Sequence, residues 1–464
     1  MTAAPKVVIV GGGPGGYEAA LVAAQLEAEV TVVDRDGLGG SCVLTDCVPS
    51  KTLIATAEVL TLAKESGELG IVVDEERGGG VRADLAKVNA RVKALALAQS
   101  ADIARRLERE GVRIVAAQGR LDGPGHVVAT TPDGREERLE ADAVLLATGA
   151  TARRLPDAEP DGERILTWTQ LYDLEELPER LVVVGSGVTG AEFASAYRAL
   201  GSDVTLVSSR DRVLPSEDAD AAEVLEQVFV RRGIEVLSRS RASTVERTPD
   251  GVVVRLEDGR SVEGSHCLMA VGSVPNTEGL GLEGAGVELG RGRFITVDKV
   301  SRTTARGVYA AGDCTGVLLL ASVAAMQGRI AMYHALGDAV APIELRTVSS
   351  NVFTDPEIAT VGFTQADAEA GRIDAATVTL PLQTNARARM TGFHDGFVKL
   401  LCRPGSGSVL GGVVVAPRAS ELIHPVAIAC EQRLTVDQLA QTFTVYPSLS
   451  GSLAEAARQL HQRA

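Results

Sequence analysis

The stretch Val7-Val-Ile-Val-Gly-Gly-Gly-Pro-Gly-Gly16 decides how this chain is read. Four apolar residues run into Gly11-x-Gly13-x-x-Gly16. An alanine-rich helical pattern follows, then a second apolar run, Val30-Thr-Val-Val33, ending at Asp34. A bare glycine triplet says little. Strand, glycine turn, helix, strand and acid together are the full context of a dinucleotide-binding unit. Gly11 makes the tight turn, Gly13 lets a pyrophosphate approach the helix N-terminus, and Gly16 allows the helix to pack closely on the strand. Asp34 is placed to accept hydrogen bonds from an adenosine ribose.

The unit returns. Leu181-Val-Val-Val-Gly185-Ser-Gly187-Val-Thr-Gly190 precedes a helical pattern and the run Val204-Thr-Leu-Val207. Asp34 lies 18 residues past Gly16, and the same offset from Gly190 reaches Ser208, which carries no charge. Both glycine sets are intact, so two dinucleotides are expected. The second has no carboxylate to repel a 2′-phosphate, and Arg210 and Arg212 can attract one, offset in part by Asp211. A dinucleotide carrying a 2′-phosphate is therefore expected to bind at least as well as one without it.

Around these units, 84–109 reads as a long helix packed on the first domain. Ala141-Asp-Ala-Val-Leu-Leu-Ala-Thr-Gly149 and Val308-Tyr-Ala-Ala-Gly-Asp313 read as buried strands ending in glycine turns. After Pro342 alternating strands and closing helices suggest a third domain. The expected fold is α/β: two Rossmann-like dinucleotide-binding domains and a C-terminal α+β domain. The expected segments are 1–150, 151–275, 276–344 and 345–464. With 46 basic and 61 acidic side chains the net charge is −15, which repels a phosphate backbone and argues against a nucleic-acid partner. No apolar run reaches the roughly 18 residues of a membrane span. The apolar start runs into glycines instead of a cleavage site, so a cytoplasmic location is expected. Of the six cysteines, Cys267, Cys314, Cys402 and Cys430 are dispersed and read as inert.

The remaining two lie in Gly39-Gly-Ser-Cys42-Val-Leu-Thr-Asp-Cys47-Val-Pro-Ser-Lys51. Thiols with four residues between them can close a small loop, and a low-pKa thiolate with a resolving partner would make it redox-active. An unreactive buried pair is the alternative. A zinc site would need two more ligands, and none is in local reach, so no metal is expected.

With these motifs the whole chain resembles the flavoprotein disulfide reductases, the family of dihydrolipoamide dehydrogenase, glutathione reductase and mercuric reductase. Besides both glycine units and Cys-x4-Cys-Val-Pro-Ser-Lys51, the resemblance rests on Ala147-Thr-Gly149, Glu192, Gly272-Ser-Val-Pro-Asn276, Ala310-Ala-Gly-Asp313 and Val352-Phe-Thr-Asp-Pro-Glu357. It implies FAD in the first unit, held by Gly11, Gly13, Gly16, Asp34, Gly40, Ser41, Lys51, Gly119, Thr148, Gly149, Asp313 and Ala321. It implies NADPH or NADH in the second, held by Gly185, Gly187, Gly190, Glu192, Ser208, Arg210, Arg212 and Gly272. Cys42, Cys47, Lys51, Glu192 and Tyr446 are the implied catalytic set, with Lys51 and Glu192 forming an ion pair beside the flavin. The C-terminal domain implies a homodimer.

Two departures bear on activity. Leu44 and Asp46 stand where the family usually has Asn and Gly. The family's His-Pro-Thr-x-Ser-Glu becomes Tyr446-Pro-Ser-Leu-Ser-Gly451, which removes the His-Glu pair that moves the proton of a thiol substrate. Tyrosine, with a pKa of about 10, is a poor base at neutral pH. In this the chain resembles the NAD(P)H:quinone reductases of the group, because a quinone can draw its protons from water. A quinone reductase is the expected function. A working disulfide reductase and a non-catalytic flavin-binding partner protein are the alternatives.

Overall fold

The computed structural model describes residues 4–71 and 80–461. The chain divides into two compact units. The first comprises Met1–Thr52, Asn89–Arg153 and Gly272–Ile343; the second comprises Leu53–Val88, Arg154–Val271 and Glu344–Ala464.

The first unit is built on a five-stranded parallel sheet ordered Val308–Ala310, Ala143–Leu146, Lys6–Val10, Glu29–Asp34, Arg113–Ala116. Its strands are near-continuous apolar runs because helices and loops cover both faces. Val7, Val8, Ile9 and Val10 are all buried, and Ile9 pairs with Val32 on one side and Leu145 on the other. The expected return strands before Gly149 and Asp313 are thus both in this sheet. The helix Pro14–Gln25 follows the glycine turn, and its alanines sit in the same core as Val7 and Ile9. The long helix expected over 84–109 forms as Leu85–Arg109, and its Ile103 and Leu107 join that core. A three-stranded antiparallel sheet, Gln118–Leu121, His126–Thr130 and Glu136–Glu140, completes the fold of this unit together with a short two-stranded pairing.

The second unit repeats the plan. Its parallel sheet is ordered Ile165–Leu166, His266–Met269, Arg180–Val184, Asp203–Val207, Glu235–Leu237. A three-stranded antiparallel sheet, Ala242–Arg247, Val252–Leu256 and Ser261–Gly264, is inserted at the corresponding place. The C-terminal part of this unit is a five-stranded antiparallel sheet ordered Ser350–Val352, Glu357–Gly362, Val409–Ala416, Phe397–Cys402, Ala376–Pro381. The final helix Gly451–His461 packs Leu453, Ala456, Ala457 and Leu460 into the core of that sheet. The fold is therefore α/β in two dinucleotide-binding halves, with an α+β C-terminal region.

Candidate functional site

The glycine turn of the first unit is fixed by backbone contacts. Gly11 has φ +104°, donates its N–H to the Val33 carbonyl at 2.9 Å, and lies so close to Ala147 that a Cβ would come within 2.2 Å of that carbonyl. A Cβ on Gly16 would fall 1.9 Å from the Gly11 carbonyl. The helix therefore starts at the strand end with its N-terminal N–H groups facing outward, where Gly13 leaves room for an anion. At the end of the next strand the Asp34 carboxylate accepts from three backbone N–H groups, Gly12 at 2.6 Å, Gly37 at 2.7 Å and Asp36 at 2.9 Å.

Two cavities meet at this turn, one of about 570 Å³ and one of about 720 Å³, sharing Gly11, Asp34, Arg35, Asp36, Thr148, Thr151 and Asn276. The first is lined by Gly13, Gly40, Ser41, both cysteines, Gly149, Asp313 and Ala321; Gly119 lines the second. Two adjoining cavities that share a glycine-floored helix N-terminus and the acid at the next strand end fit FAD. Of the residues assigned to FAD from sequence, only Gly16, buried in the turn, and Lys51 stand outside these linings. Sequence reasoning missed Asn276 as a site residue. Its amide donates to the Thr148 carbonyl at 2.9 Å while the Thr148 hydroxyl donates to the Asn276 carbonyl at 2.7 Å, a clasp that fixes the Thr148–Gly149 turn. The signal that could have found it is the segment Gly272-Ser-Val-Pro-Asn276, which ends on this amide.

The cysteines sit at a junction of two helices. Cys42 lies in the short helix Gly40–Leu44, and Cys47 opens the helix Cys47–Glu65, with Lys51 one turn further along the same face. Both thiols are free and half-buried, and they are hydrogen-bonded to one another. That bond holds Cys42 below the usual thiol range, against burial and the Asp46 and Asp313 carboxylates. The same bond, then burial, then the charges of Cys42 and Asp46, push Cys47 up. Asp313, which lines the same cavity, is raised to about 6 by burial and then by Asp46. Burial raises the thiols of Cys267, Cys314, Cys402 and Cys430, of which Cys430 is half-buried.

In the second unit Gly185 has φ +114° and a Cβ there would meet the Ala270 carbonyl at 2.2 Å; one on Gly190 would meet the Gly185 carbonyl at 1.8 Å. Gly187 caps the helix Val188–Leu200 with open space beside it. The strand end differs. The Ser208 hydroxyl is 2.6 Å from that of Ser186, and both are buried. Arg210 is exposed and Arg212 half-buried, and neither pairs with an acid among the described residues. Asp211 turns to Arg239 at 3.0 Å, so its expected offset of their field is partly withdrawn. Glu192 is buried and accepts from the Phe353 N–H at 2.9 Å. Lys51 and Gly272 belong to the first unit and Glu192 to the second. Gly272 has φ +90° and accepts from the Arg153 N–H at 2.9 Å.

Tyr446 stands 86% exposed beside the fully exposed Phe443 and the exposed Val445. Gly451 begins the last helix, its N–H donated to the Ser448 hydroxyl at 3.1 Å. His461 pairs with Asp437, on the final helix and away from the Tyr446 turn in sequence.

A model of the pyridine nucleotide-disulphide oxidoreductases matches residues 5–328, and one of their dimerisation domain matches 348–457. The chain is 59% identical over 464 residues to a Mycobacterium tuberculosis protein named NAD(P)H dehydrogenase (quinone), covering 98% of this chain and 94% of that one. It is 36% identical over 455 residues to a dihydrolipoyl dehydrogenase of Chlorobaculum tepidum, covering 97% and 96%. The crystal structure of LpdA from Mycobacterium tuberculosis is 58% identical, with a TM-score of 0.94 over 98% of this chain and 99% of that one. No helix among the described residues is long and apolar enough to cross a membrane.

Proposed function

Since the chain belongs to the pyridine nucleotide-disulphide oxidoreductase family and uses its cofactors, FAD and NAD(P)H, we propose that it passes electrons from NAD(P)H to a quinone. The observation that carries this reading is the Tyr446–Gly451 segment, which offers a phenol and a glycine where a thiol substrate would need an imidazole and the carboxylate that orients it. The Mycobacterium tuberculosis relative named for a quinone supports it.

The chain's own residues bind and orient. The helix N-terminus at Gly13 would hold the FAD pyrophosphate, and Asp34 would take a ribose hydroxyl. Asp313 and Thr148 line the space beside the cysteines. Bound there, FAD supplies a carrier that takes two electrons as hydride and can release them to an acceptor. In the second unit Gly187 admits the nicotinamide cofactor's pyrophosphate, while Ser208, Arg210 and Arg212 admit a 2′-phosphate. The exposed Phe443, Val445 and Tyr446 belong to the matched dimerisation region, and covering them is the reason to read the protein as a homodimer whose partner chain approaches this segment.

A second reading, disulfide reduction, is favoured by one observation: Cys42 and Cys47 are hydrogen-bonded and line the same cavity. The test is NADPH oxidation by the purified protein with a water-soluble quinone and with lipoamide. Loss of a general base typically costs about 10²–10⁴-fold, so lipoamide is expected to be slower by about that factor. Equal turnover with both acceptors would overturn the quinone reading. Tyr446→His alone should not rescue lipoamide reduction, because Gly451 has no side chain to orient the ring.

A further inference from the structure

Asp46 is the residue before the cysteine helix, where its carbonyl accepts from the Ser50 N–H at 2.7 Å, and it lines the cavity that Cys42, Cys47 and Asp313 also line. A helix N-terminus ordinarily favours a thiolate on a cysteine placed there. A carboxylate at the start of the same helix offsets that field. Lys51, one turn on, pulls the other way for both sulfurs. The groups that face the pair are therefore Asp46, Asp313 and Lys51, together with Tyr17, which feels the charge of Cys42.

We propose that Asp46 is a positioning residue that makes the Cys42–Cys47 couple harder to reduce, by opposing negative charge on either sulfur, and so leaves electrons to an acceptor that is not a disulfide. Reducing the disulfide breaks the S–S bond with two electrons, which the enzyme draws from NAD(P)H. If one sulfur stays ionised, one proton is taken up and a thiol and a thiolate result; if neither does, two protons are taken up. The disulfide and the neutral dithiol feel Asp46 little, whereas the thiolate feels it fully. Removing the carboxylate therefore favours the reduced pair wherever the thiolate is populated. This deepens the quinone reading and rests on it for its purpose, but its measurement does not.

The experiment uses the FAD-loaded protein and two readouts on its cysteines. The first is the pH dependence of iodoacetamide alkylation of the reduced pair. The second is the fraction reduced at equilibrium with dithiothreitol at pH 8, counted by alkylation and mass spectrometry. In Asp46→Asn the half-maximal alkylation pH should fall by about one unit, and the reduction equilibrium should move up to about tenfold toward dithiol, about 30 mV for a two-electron couple. Asp46→Glu should behave as wild type, and Lys51→Gln should move the alkylation profile upward. Asp46→Gly carries the same test should the Asn variant fail to retain flavin. An unchanged profile in both neutral variants, or equal shifts in Asn and Glu, would overturn the proposal. If the cysteine shifts appear but the wild-type protein reduces no quinone, the role of Asp46 stands and the quinone reading falls.

Discussion

The two dinucleotide units share a backbone and differ in what closes it. In each, a positive-φ glycine donates to the neighbouring strand end at 2.9 Å, Gly11 to Val33 and Gly185 to Val207, and a second glycine packs against the first. The residue between the glycines then decides the chemistry. Gly12 has no side chain, so the Asp34 carboxylate can close on its N–H. Ser186 has a hydroxyl, and Ser208 meets it without charge. Beyond the strand end the first unit continues into the cysteine helix. The second continues to the helix Ala219–Arg231, whose capping residue Asp218 holds the buried Lys399 at 2.9 Å, with Asp220 at 2.7 Å. One framework thus delivers a pair of neighbouring thiols in one unit and a buried ion pair in the other. The framework is the glycines; the function is in the few side chains they leave room for.

The comparison breaks most visibly at the glycines. Gly11→Ala should yield protein without flavin, read as loss of absorbance near 450 nm. Gly185→Ala should keep flavin and weaken NADPH binding by at least about 100-fold, on the order of 3 kcal/mol. If both variants lose the same cofactor, the units are not independent. Lys399→Met leaves Asp218 buried without its cation and should lower stability by about 3–5 kcal/mol, measured by denaturant unfolding. Adding Asp218→Asn should recover part of that loss.

Asp313 supplies a pH test confined to the first unit. A half-buried carboxyl raised to about 6 binds its proton more tightly in the folded state than in the unfolded one. The flavin-free protein should therefore lose stability as pH rises from about 4 to about 6, by up to about 3 kcal/mol. Asp313→Asn should remove this dependence, and an unchanged slope would place the titrating group elsewhere. The smallest effect is expected in nucleotide choice. Ser208→Asp alone crowds the Ser186 hydroxyl, so the informative variant is Ser186→Gly with Ser208→Asp, which copies the first unit's strand end. Its NADPH/NADH ratio of kcat/KM should fall by about tenfold, about 1.4 kcal/mol. No change would mean that this position does not read the ribose.

Much of this was legible in the sequence because its causes are local. A glycine turn with a fixed offset to an acid is written in consecutive residues, and both units, the return strands ending at Leu146 and Ala310, and the helix over 85–109 followed from such patterns. The distant contacts were not legible. That Asn276 clasps Thr148, or that Lys399 lies against Asp218, depends on segments more than a hundred residues apart, and neither residue type announces a partner. Asp46 was visible as a departure, but its bearing on the sulfurs required the cavity wall it shares with them. Asp211 was expected to mute the two arginines; only the fold shows it turned to Arg239.

Asp34 has a kinetic consequence. A carboxylate offers about four acceptor positions, and three are already taken by the N–H groups of Gly12, Asp36 and Gly37. The loop that receives the adenosine end is thus tied down by the protein itself and does not wait for the ligand to order it. Entropy that a floppy loop would surrender on association is spent during folding instead. Flavin returning to the stripped protein should therefore bind in one bimolecular phase, without a slow unimolecular step at its adenosine end.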